Sequence, residues 1–413
     1  MLFSNLKDSQ NILLYGYGTE GKSTKKFLQK HFPELKITTF QDYKPAVNFV
    51  DYDLIVLSPG VPKSKVKNIP LDKITSQTEL FFSNLPEEKR KKVIGITGTK
   101  GKSTTVKFCQ EMLENTGHTA KIGGNYGVPL LNLFDDFLAN KFEFVVAELS
   151  SYQLENLSIS PGIAIFLNFF QDHLDRHHTM QNYFLAKKNL WSHQQSGDHF
   201  IVTENSRNLI GQTPQRPIFT SKIPADFFPK NSIFRAEHWL ENFGTVKKLA
   251  EILNIPEEVV FGTAQNFKGL PHRLEFFKTR KDIKFYDDAI SVNPDATMAA
   301  VSFLGENLGS IILGGQDRKQ NFSALIAKLS ALDVQIIVLE SEVSESLLKN
   351  CQKNKVPQQN ISVVKDLKEA VETAFAKTPP KHICLLSPAA PSYDQFKNFE
   401  EKGDLFQKLV KKF

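Results

Sequence analysis

Val93-Ile94-Gly95-Ile96-Thr97-Gly98-Thr99-Lys100-Gly101-Lys102-Ser103-Thr104 begins as a β-branched run and enters a glycine-bearing turn. A lysine and two hydroxyls follow, at the start of a helical pattern. Glycines let backbone N–H groups close around phosphate oxygens. Lys102 has the reach for terminal phosphates, and Ser103 has the hydroxyl that holds their Mg²⁺. The helix that follows aims its positive end at the same anion. Strand, loop and helix in this order predict a nucleotide triphosphate loop in an α/β chain.

A second loop competes for that reading. Gly16-Tyr17-Gly18-Thr19-Glu20-Gly21 follows an apolar strand at 11–15 and precedes a helical pattern through Phe27 and Leu28. That is G-x-G-x-x-G in the context of a dinucleotide-type loop. Gly16 to Ser23 also fits G-x4-G-K-S letter for letter, whereas the loop at 93–104 carries Ile96 where the first glycine belongs. Pattern alone selects the earlier loop. The residues downstream select the later one.

The composition sets the frame. A chain of 413 residues has room for roughly two to four domains. Its 41% hydrophobic and 23% charged content is that of a globular protein, and its net charge of +6 is dispersed among acids. With no basic block, nucleic acid is not an expected partner. Cys109, Cys351 and Cys384 form no CxxC pair, which fits a reducing compartment. Residues 1–10 lack the apolar core of a signal peptide. No apolar run approaches the ~20 residues of a membrane span. The expectation is a cytoplasmic, monomeric enzyme with no membrane partner.

Further strands are expected at 36–40 and 53–57, the latter ending in Ser58-Pro59-Gly60-Val61-Pro62. Ligands sit at such carboxyl ends in open α/β sheets. The charge run Glu87-Glu88-Lys89-Arg90-Lys91-Lys92 reads as a solvated linker. Beyond the triphosphate loop, a helix is expected at 104–116 and a flexible turn at Gly123-Gly124-Asn125-Tyr126-Gly127. A buried strand at 142–147 ends in Glu148-Leu149-Ser150-Ser151. Another, at 163–168, ends in Phe169-Phe170-Gln171-Asp172-His173-Leu174-Asp175. A phosphate loop needs a downstream strand-end acid to place Mg²⁺, and Glu148 fits. His173 and His177 stand four apart, a spacing that also suits zinc, although Mg²⁺ shared with the nucleotide is more economical. Lys187, on a helix at 180–191, reads by itself as a solvated lysine. After Phe267-Lys268-Gly269-Leu270-Pro271-His272-Arg273 the strand–helix alternation resumes. Strands are expected at 283–286, 310–313, 334–339 and 382–386. They end in Asp287-Asp288, Gly314-Gly315-Gln316-Asp317-Arg318 and Ser387-Pro388-Ala389-Ala390-Pro391-Ser392-Tyr393-Asp394. By themselves Arg273, Asp288 and Arg318 read as hinge or surface charges, and Ser392 and Phe399 as loop and core residues.

The order of these motifs resembles the Mur ligases, ATP-dependent amino acid ligases of peptidoglycan precursor synthesis, over nearly the whole length. It is most similar to the branch that adds glutamate to UDP-N-acetylmuramoyl-L-alanine. The resemblance is carried by Thr97-Gly98-Thr99-Lys100-Gly101-Lys102-Ser103-Thr104, Gly124-Asn125-Tyr126-Gly127 and Glu148-Leu149-Ser150-Ser151-Tyr152-Gln153-Leu154-Glu155. Asp172-His173-Leu174-Asp175-Arg176, Tyr183-Phe184-Leu185-Ala186-Lys187 and His272-Arg273 extend it. So does the tail Leu386-Ser387-Pro388-Ala389-Ala390-Pro391-Ser392-Tyr393-Asp394-Gln395-Phe396-Lys397-Asn398-Phe399.

The resemblance implies three α/β domains. These are a Rossmann-like UDP-substrate domain at 1–91, a central P-loop ATPase domain at 92–270, and a C-terminal Rossmann-like domain at 271–413. It implies that Gly18, Thr19, Glu20, Ser58, Pro59, Gly60, Asn125, Ser151 and Gln153 contact the UDP substrate. Gly98, Thr99, Lys100, Gly101, Lys102, Ser103, Thr104, Arg273 and Asp288 would bind ATP. Ser103, Glu148, His173 and a carbamylated Lys187 would hold Mg²⁺, and Lys102, His173 and Lys187 would be catalytic. Arg318, Ser392 and Phe399 would surround glutamate. The implied chemistry is phosphorylation of the substrate carboxylate, then attack by the amino acid's amine.

One departure bears on the amino acid. Many D-glutamate ligases of the family have Ser-Lys-Ala-Thr-Asn after the acid at 288; this chain has Ala289-Ile290-Ser291-Val292-Asn293. A cation and a hydroxyl are missing at Ile290 and Val292, which opens L-glutamate as an alternative. Two other readings stand beside the ligase: a nucleotide-dependent binding protein that has lost ligation, and a zinc hydrolase using His173 and His177.

Overall fold

The computed structural model describes residues 6, 9–41, 47–62, 65, 66, 68–230, 232–235 and 237–413. Most of the stretch 1–10, read above for a signal segment, lies outside them. Two compact units make up the chain, Met1–Phe267 and Lys268–Phe413.

The first unit holds two parallel sheets. One is four-stranded, in the order β2-β1-β3-β4. Its strands are β1 (Asn11–Tyr15), β2 (Lys36–Phe40), β3 (Leu54–Leu57) and β4 (Ile74–Ser76). The other contains β5 (Val93–Thr97), β6 (Ala120–Gly124), β7 (Phe144–Glu148), β8 (Ile163–Phe166), β9 (His199–Thr203) and β10 (Ile218–Thr220), in the order β10-β9-β8-β5-β7-β6. β5 is buried along its whole length, the near-continuous apolar run of a strand covered on both faces. The helix Lys102–Glu114 covers one face with Val106, Phe108, Cys109, Met112 and Leu113. Phe108 alone packs against Phe228, Phe243 and Phe267. Burying such a ring is worth about 1.5–3 kcal/mol.

β5 pairs on one side with β7 and on the other with β8, with Ile96 opposite Glu148 and Thr97 opposite Phe166. The carboxyl ends of these three strands therefore lie side by side. The ends of β7 and β8 thus flank the loop that follows β5.

The charge run at 87–92 is not a solvated linker. Glu87–Arg90 forms a short helix, and Arg90 is buried. Its guanidinium donates to both carboxylate oxygens of Asp198, at 2.7 and 3.0 Å, and to the Ser160 carbonyl at 3.1 Å. A planar fork that meets a carboxylate in two places can be taken out of water, which an isolated lysine cannot.

The second unit is a six-stranded sheet in the order β11-β12-β16-β13-β14-β15. Its members are β11 (Glu275–Arg280), β12 (Ile283–Asp287), β13 (Leu308–Leu313), β14 (Gln335–Leu339), β15 (Ile361–Val364) and β16 (Ile383–Leu386). Only β11 runs antiparallel. The departure Ile290–Val292 falls in the turn before the helix Pro294–Leu304. Asn293 caps that helix by accepting from Ala296 N at 2.9 Å, with Pro294 at its first position.

Candidate active site

The loop after β5 is held open by its neighbours rather than by itself. Asn168, just past β8, accepts through Oδ1 from the N–H of Thr99 at 3.1 Å and of Lys100 at 2.8 Å. Its Nδ2 returns a bond to the Lys100 carbonyl at 2.8 Å. Gly101 caps the helix at φ 84°, a left-handed conformation; a Cβ there would lie 2.2 Å from Asn242 Nδ2. Lys102 Nζ donates to the Thr99 carbonyl at 3.1 Å, so its ammonium lies over the loop. Lys102, Ser103 and Thr104 begin the helix. No acid occupies its first turn, so nothing there opposes an anion at its N-terminus.

Glu148 closes β7 at 1% exposure. Its Oε1 accepts from Asn125 Nδ2 at 2.6 Å, and its buried Oε2 has no partner among the described residues. A sealed carboxylate oxygen without a donor is costly unless a cation or proton arrives. A carboxylate oxygen of this kind suits a hard divalent ion such as Mg²⁺. The preceding turn is built for this contact: Gly124 sits at φ 101°, and a Cβ there would lie 2.2 Å from the Glu148 carbonyl.

His173 lies beyond β8 in a left-handed conformation, φ 51°, and is substantially exposed. Its Nδ1 is 3.0 Å from the Tyr152 hydroxyl. Its Nε2 lies 3.5 Å from Asp172 Oδ2 and is the ring nitrogen that would serve a metal when Nδ1–H donates to the phenol oxygen. His177 is buried and tied to Ser151 Oγ at 3.0 Å. Ser151 is thereby spent on His177, and the two histidines have different surroundings despite their spacing.

Lys187 is not a solvated lysine. It is 1% exposed, on the helix Met180–Ser192, and its Nζ donates to the Gly98 carbonyl at 2.8 Å and lies 3.4 Å from Thr97 Oγ1. Burial, followed by the nearby charge of Lys102, pushes its amine well below the usual lysine range. The Tyr183 ring lies 4.7 Å away. This buried amine is held by backbone and hydroxyl oxygens rather than solvated as a surface charge.

The earlier glycine loop has different surroundings. Gly18, Thr19, Glu20, Ser58, Pro59 and Gly60 line one cavity of about 500 Å³. Lys22 points to solvent, and the Ser23 hydroxyl donates to Asn132 Oδ1 at 2.7 Å. Glu20 accepts from Gln153 Nε2 at 2.6 Å, and burial raises its carboxyl to about 7 in spite of that bond. Gln153 lines a neighbouring cavity of about 360 Å³ that shares Ser58 and Pro59 with the first. Ser151 lines neither.

In the second unit, Asp288 is buried and accepts from Leu274 N at 3.0 Å and Ser387 Oγ at 2.7 Å. Burial raises its carboxyl to about 6. Arg318 lies 5.9 Å from the Tyr393 ring. That places it beside the loop of Ser392, whose buried hydroxyl has no partner among the described residues. Phe399 packs edge-on to His272 at 6.3 Å instead. His272, Glu275 and Asp287 offer ligand atoms within 4.8 Å of one another. Those atoms are already spent: His272 Nδ1 lies 2.7 Å from Asp287 Oδ2, and Gln407 donates to Asp287 and Glu275 at 3.0 Å each.

Two features escaped the sequence reading. Asn168 ends an apolar run as its lone amide, a visible signal. Lys402 is buried in the helix Phe399–Lys412, donates to the Gly314 carbonyl at 2.8 Å and is lowered by burial to about 8. In the sequence it is one lysine in a charged amphipathic helix, and nothing marks it.

Residues 96–242 match the Mur ligase middle domain, and residues 272–390 the Mur ligase, glutamate ligase domain. The chain is 31% identical over 386 residues to the UDP-N-acetylmuramoylalanine–D-glutamate ligase of Thermoanaerobacter pseudethanolicus, covering 87% of this chain and 84% of that one. It is 32% identical over 390 residues to the protein of that name from Bacillus cereus, covering 87% and 83%. Among solved structures, MurF of Acinetobacter baumannii aligns with a TM-score of 0.59 at 16% identity over 82% of this chain and 83% of that one. UDP-N-acetylmuramate-alanine ligase MurC of Thermotoga maritima aligns with 0.56 at 15% identity over 98% and 99%. The fold, the loop architecture and the full-length relatives agree: this chain belongs to the Mur ligase family.

Proposed function

We propose that the protein joins glutamate to UDP-N-acetylmuramoyl-L-alanine at the expense of ATP, in the cytoplasmic synthesis of peptidoglycan precursors. The observation that carries the reading is the group at the carboxyl ends of β5, β7 and β8. Lys102 lies over an open loop, Glu148 keeps a buried oxygen without a donor, and Lys187 is a buried amine against the Gly98 carbonyl. The relatives' shared name supports the substrate pair, with D-glutamate the favoured isomer.

In this reading the loop amides and Lys102 bind the ATP phosphates and orient the γ-phosphate toward the incoming carboxylate. The carboxylate oxygen takes the γ-phosphoryl group and ADP leaves. The glutamate amine then attacks the acyl phosphate carbonyl, and inorganic phosphate departs as the amide forms. Ser103, Glu148 and His173, together with Lys187 once carbamylated, would hold Mg²⁺, which when bound neutralises phosphate charge. Carbamylation, in which the Lys187 amine adds CO₂ and releases a proton, would supply the oxygens that the bare lysine lacks. The cavity of Gly18, Ser58 and Gly60 takes the UDP end, Asn125 the muramoyl part, and Arg318 and Ser392 the glutamate carboxylates. The proposed nucleotide contacts of Arg273 and Asp288, the proposed glutamate contact of Phe399 and the three-domain division at 91 and 270 rest on motif resemblance.

The test is ADP release measured with each substrate withheld in turn. Release that requires UDP-N-acetylmuramoyl-L-alanine and glutamate together supports the ligase; equal release without the amino acid overturns it. Ile290 and Val292 make the comparison of D- with L-glutamate in that assay decisive for the isomer.

A further inference from the structure

One arginine joins two parts of the first unit that the proposed chemistry treats separately. Arg176 lies on the short helix Leu174–His177, and its backbone N–H donates to the His173 carbonyl at 3.1 Å. One terminal nitrogen of its guanidinium donates to the Val61 carbonyl, 115 positions away, and the other to Glu155 Oε2 at 2.9 Å. Val61 closes the turn that follows β3, its own N–H donating to the Ser58 carbonyl at 3.0 Å. Ser58, Pro59 and Gly60 of that turn line the cavity assigned to the UDP end. The guanidinium also lies 5.3 Å from the centre of the Tyr152 ring, whose hydroxyl meets His173 Nδ1 at 3.0 Å. That ring packs against the imidazoles of His173 at 5.0 Å and His177 at 5.5 Å. A planar fork serves acceptors on two segments at once and offers its face to an aromatic ring; the point charge of a lysine cannot.

We propose that Arg176 is a positioning residue that holds the substrate turn at 58–61 in register with Tyr152 and His173. The proposal rests on the ligase reading above and adds the residue that fixes one part of that site against the other. Arg176 acts through Val61 on the cavity for the UDP end, and through the Tyr152 ring on the imidazole of His173. A shift of about 1 Å in a positioned group costs up to about 100-fold in rate, and loss of a partner behind a working histidine about 10- to 100-fold. Without the fork, substrate affinity and turnover should therefore fall together.

The test follows substrate binding by calorimetry and turnover by ADP release. Arg176→Ala should weaken binding of UDP-N-acetylmuramoyl-L-alanine about tenfold and lower kcat about tenfold or more. Its affinity for ADP should stay within about twofold, which shows that the central sheet is intact. The arginine side chain is 13% exposed and borders cavities of about 360 and 530 Å³, so a free guanidinium ion can enter the space it vacates. Roughly 20 mM guanidinium, far below denaturing levels, should restore part of both losses. A purely structural arginine would gain nothing from a denaturant, so losses without rescue would overturn the proposal. Arg176→Lys keeps the charge without the fork and should lie between the wild type and Arg176→Ala; a Lys variant equal to the wild type in both readouts would overturn it too. Tyr152→Phe keeps the ring under the guanidinium and removes the hydroxyl, so it should lower kcat about tenfold with substrate affinity within about twofold. An unchanged kcat in Tyr152→Phe would cut the path to His173, and an Arg176→Ala protein that moves only one of affinity and kcat would break the link; either result overturns the proposal. The two readings fail separately. If the wild-type protein does not bind UDP-N-acetylmuramoyl-L-alanine, the ligase reading fails. If it binds and Arg176→Ala binds as tightly with unchanged kcat, only the role of Arg176 fails.

Discussion

Two glycine loops in this chain look alike and are equipped differently. Each leaves a buried parallel strand, and each opens a helix of 13 residues, Thr19–His31 and Lys102–Glu114. The first fits the phosphate-loop pattern letter for letter; the second does not. Yet the first places Glu20 in its own opening turn, turns Lys22 to solvent and spends Ser23 on Asn132. The second has no acid in its opening turn. It takes its carboxylate, Glu148, from the adjacent strand, its staple, Asn168, from the other side, and a buried lysine from the helix Met180–Ser192. A triphosphate loop is defined by what surrounds its backbone amides, since the amides alone bind any anion.

The sharpest way to break that contrast is to remove the matched lysines. Lys102→Ala should lower kcat/KM by about 100- to 1000-fold, the scale of losing one preorganised group on a developing charge. Lys22→Ala should stay within about twofold, as an exposed substitution away from the chemistry. Steady-state ADP release with saturating co-substrates measures both, and comparable losses would dissolve the distinction between the loops. Lys187→Ala should come next, with a fall on the order of 100-fold in the same assay. Added formate or acetate should restore part of the activity by supplying the missing oxygens. A fully active Lys187→Ala protein would remove the lysine from the site.

How far the sequence carried these assignments follows from what each residue interacts with. Strands such as β5 and β8 were legible because an apolar run buried on both faces has few alternatives. Glu148 was legible because polarity at a strand's carboxyl end is local information. Lys187 and Arg90 were legible only in type. Their burial depends on Gly98 and Asp198, 89 and 108 positions away, and no window of sequence brings those together. Lys402 is the extreme case, with its Gly314 acceptor in another element and an amphipathic helix as its only local context. Charged residues whose partners are distant are where local reading fails, because their cost or benefit is decided by tertiary contact.

The acid in the first loop offers a test of middle size. Glu20 has its carboxyl raised from 4.5 to about 7 because burial disfavours the charged form more than the Gln153 bond favours it. The folded state thus binds a proton that the unfolded state releases earlier. This contribution to stability is fully present below about 4.5 and is lost as pH rises through about 7. Glu20→Gln removes the titration, so it should leave stability little changed at pH 4.5 and raise it at pH 8 by on the order of 1–2 kcal/mol. Urea unfolding at the two pH values measures this. A variant that is no more stable than the parent at pH 8 would show that Glu20 is solvated, and the two loops would then differ less in electrostatics than drawn above.

The smallest effect is expected at the matched serines. Ser23 bonds the side chain of Asn132, which is exposed and can turn to water once the hydroxyl is gone. Ser23→Ala should therefore cost about 0.5–1 kcal/mol in unfolding free energy and leave ADP release within about twofold. Ser103→Ala should do the opposite. Its helix keeps its backbone bonds, so stability should barely move, while activity drops and the Mg²⁺ concentration for half-maximal rate rises. The two variants differ by the same atom at the same place in the same pattern. If Ser23→Ala instead lost activity beyond about tenfold with its stability intact, the first loop would be handling phosphate as well. The Asn132 contact would then be a resting state of that hydroxyl rather than its purpose.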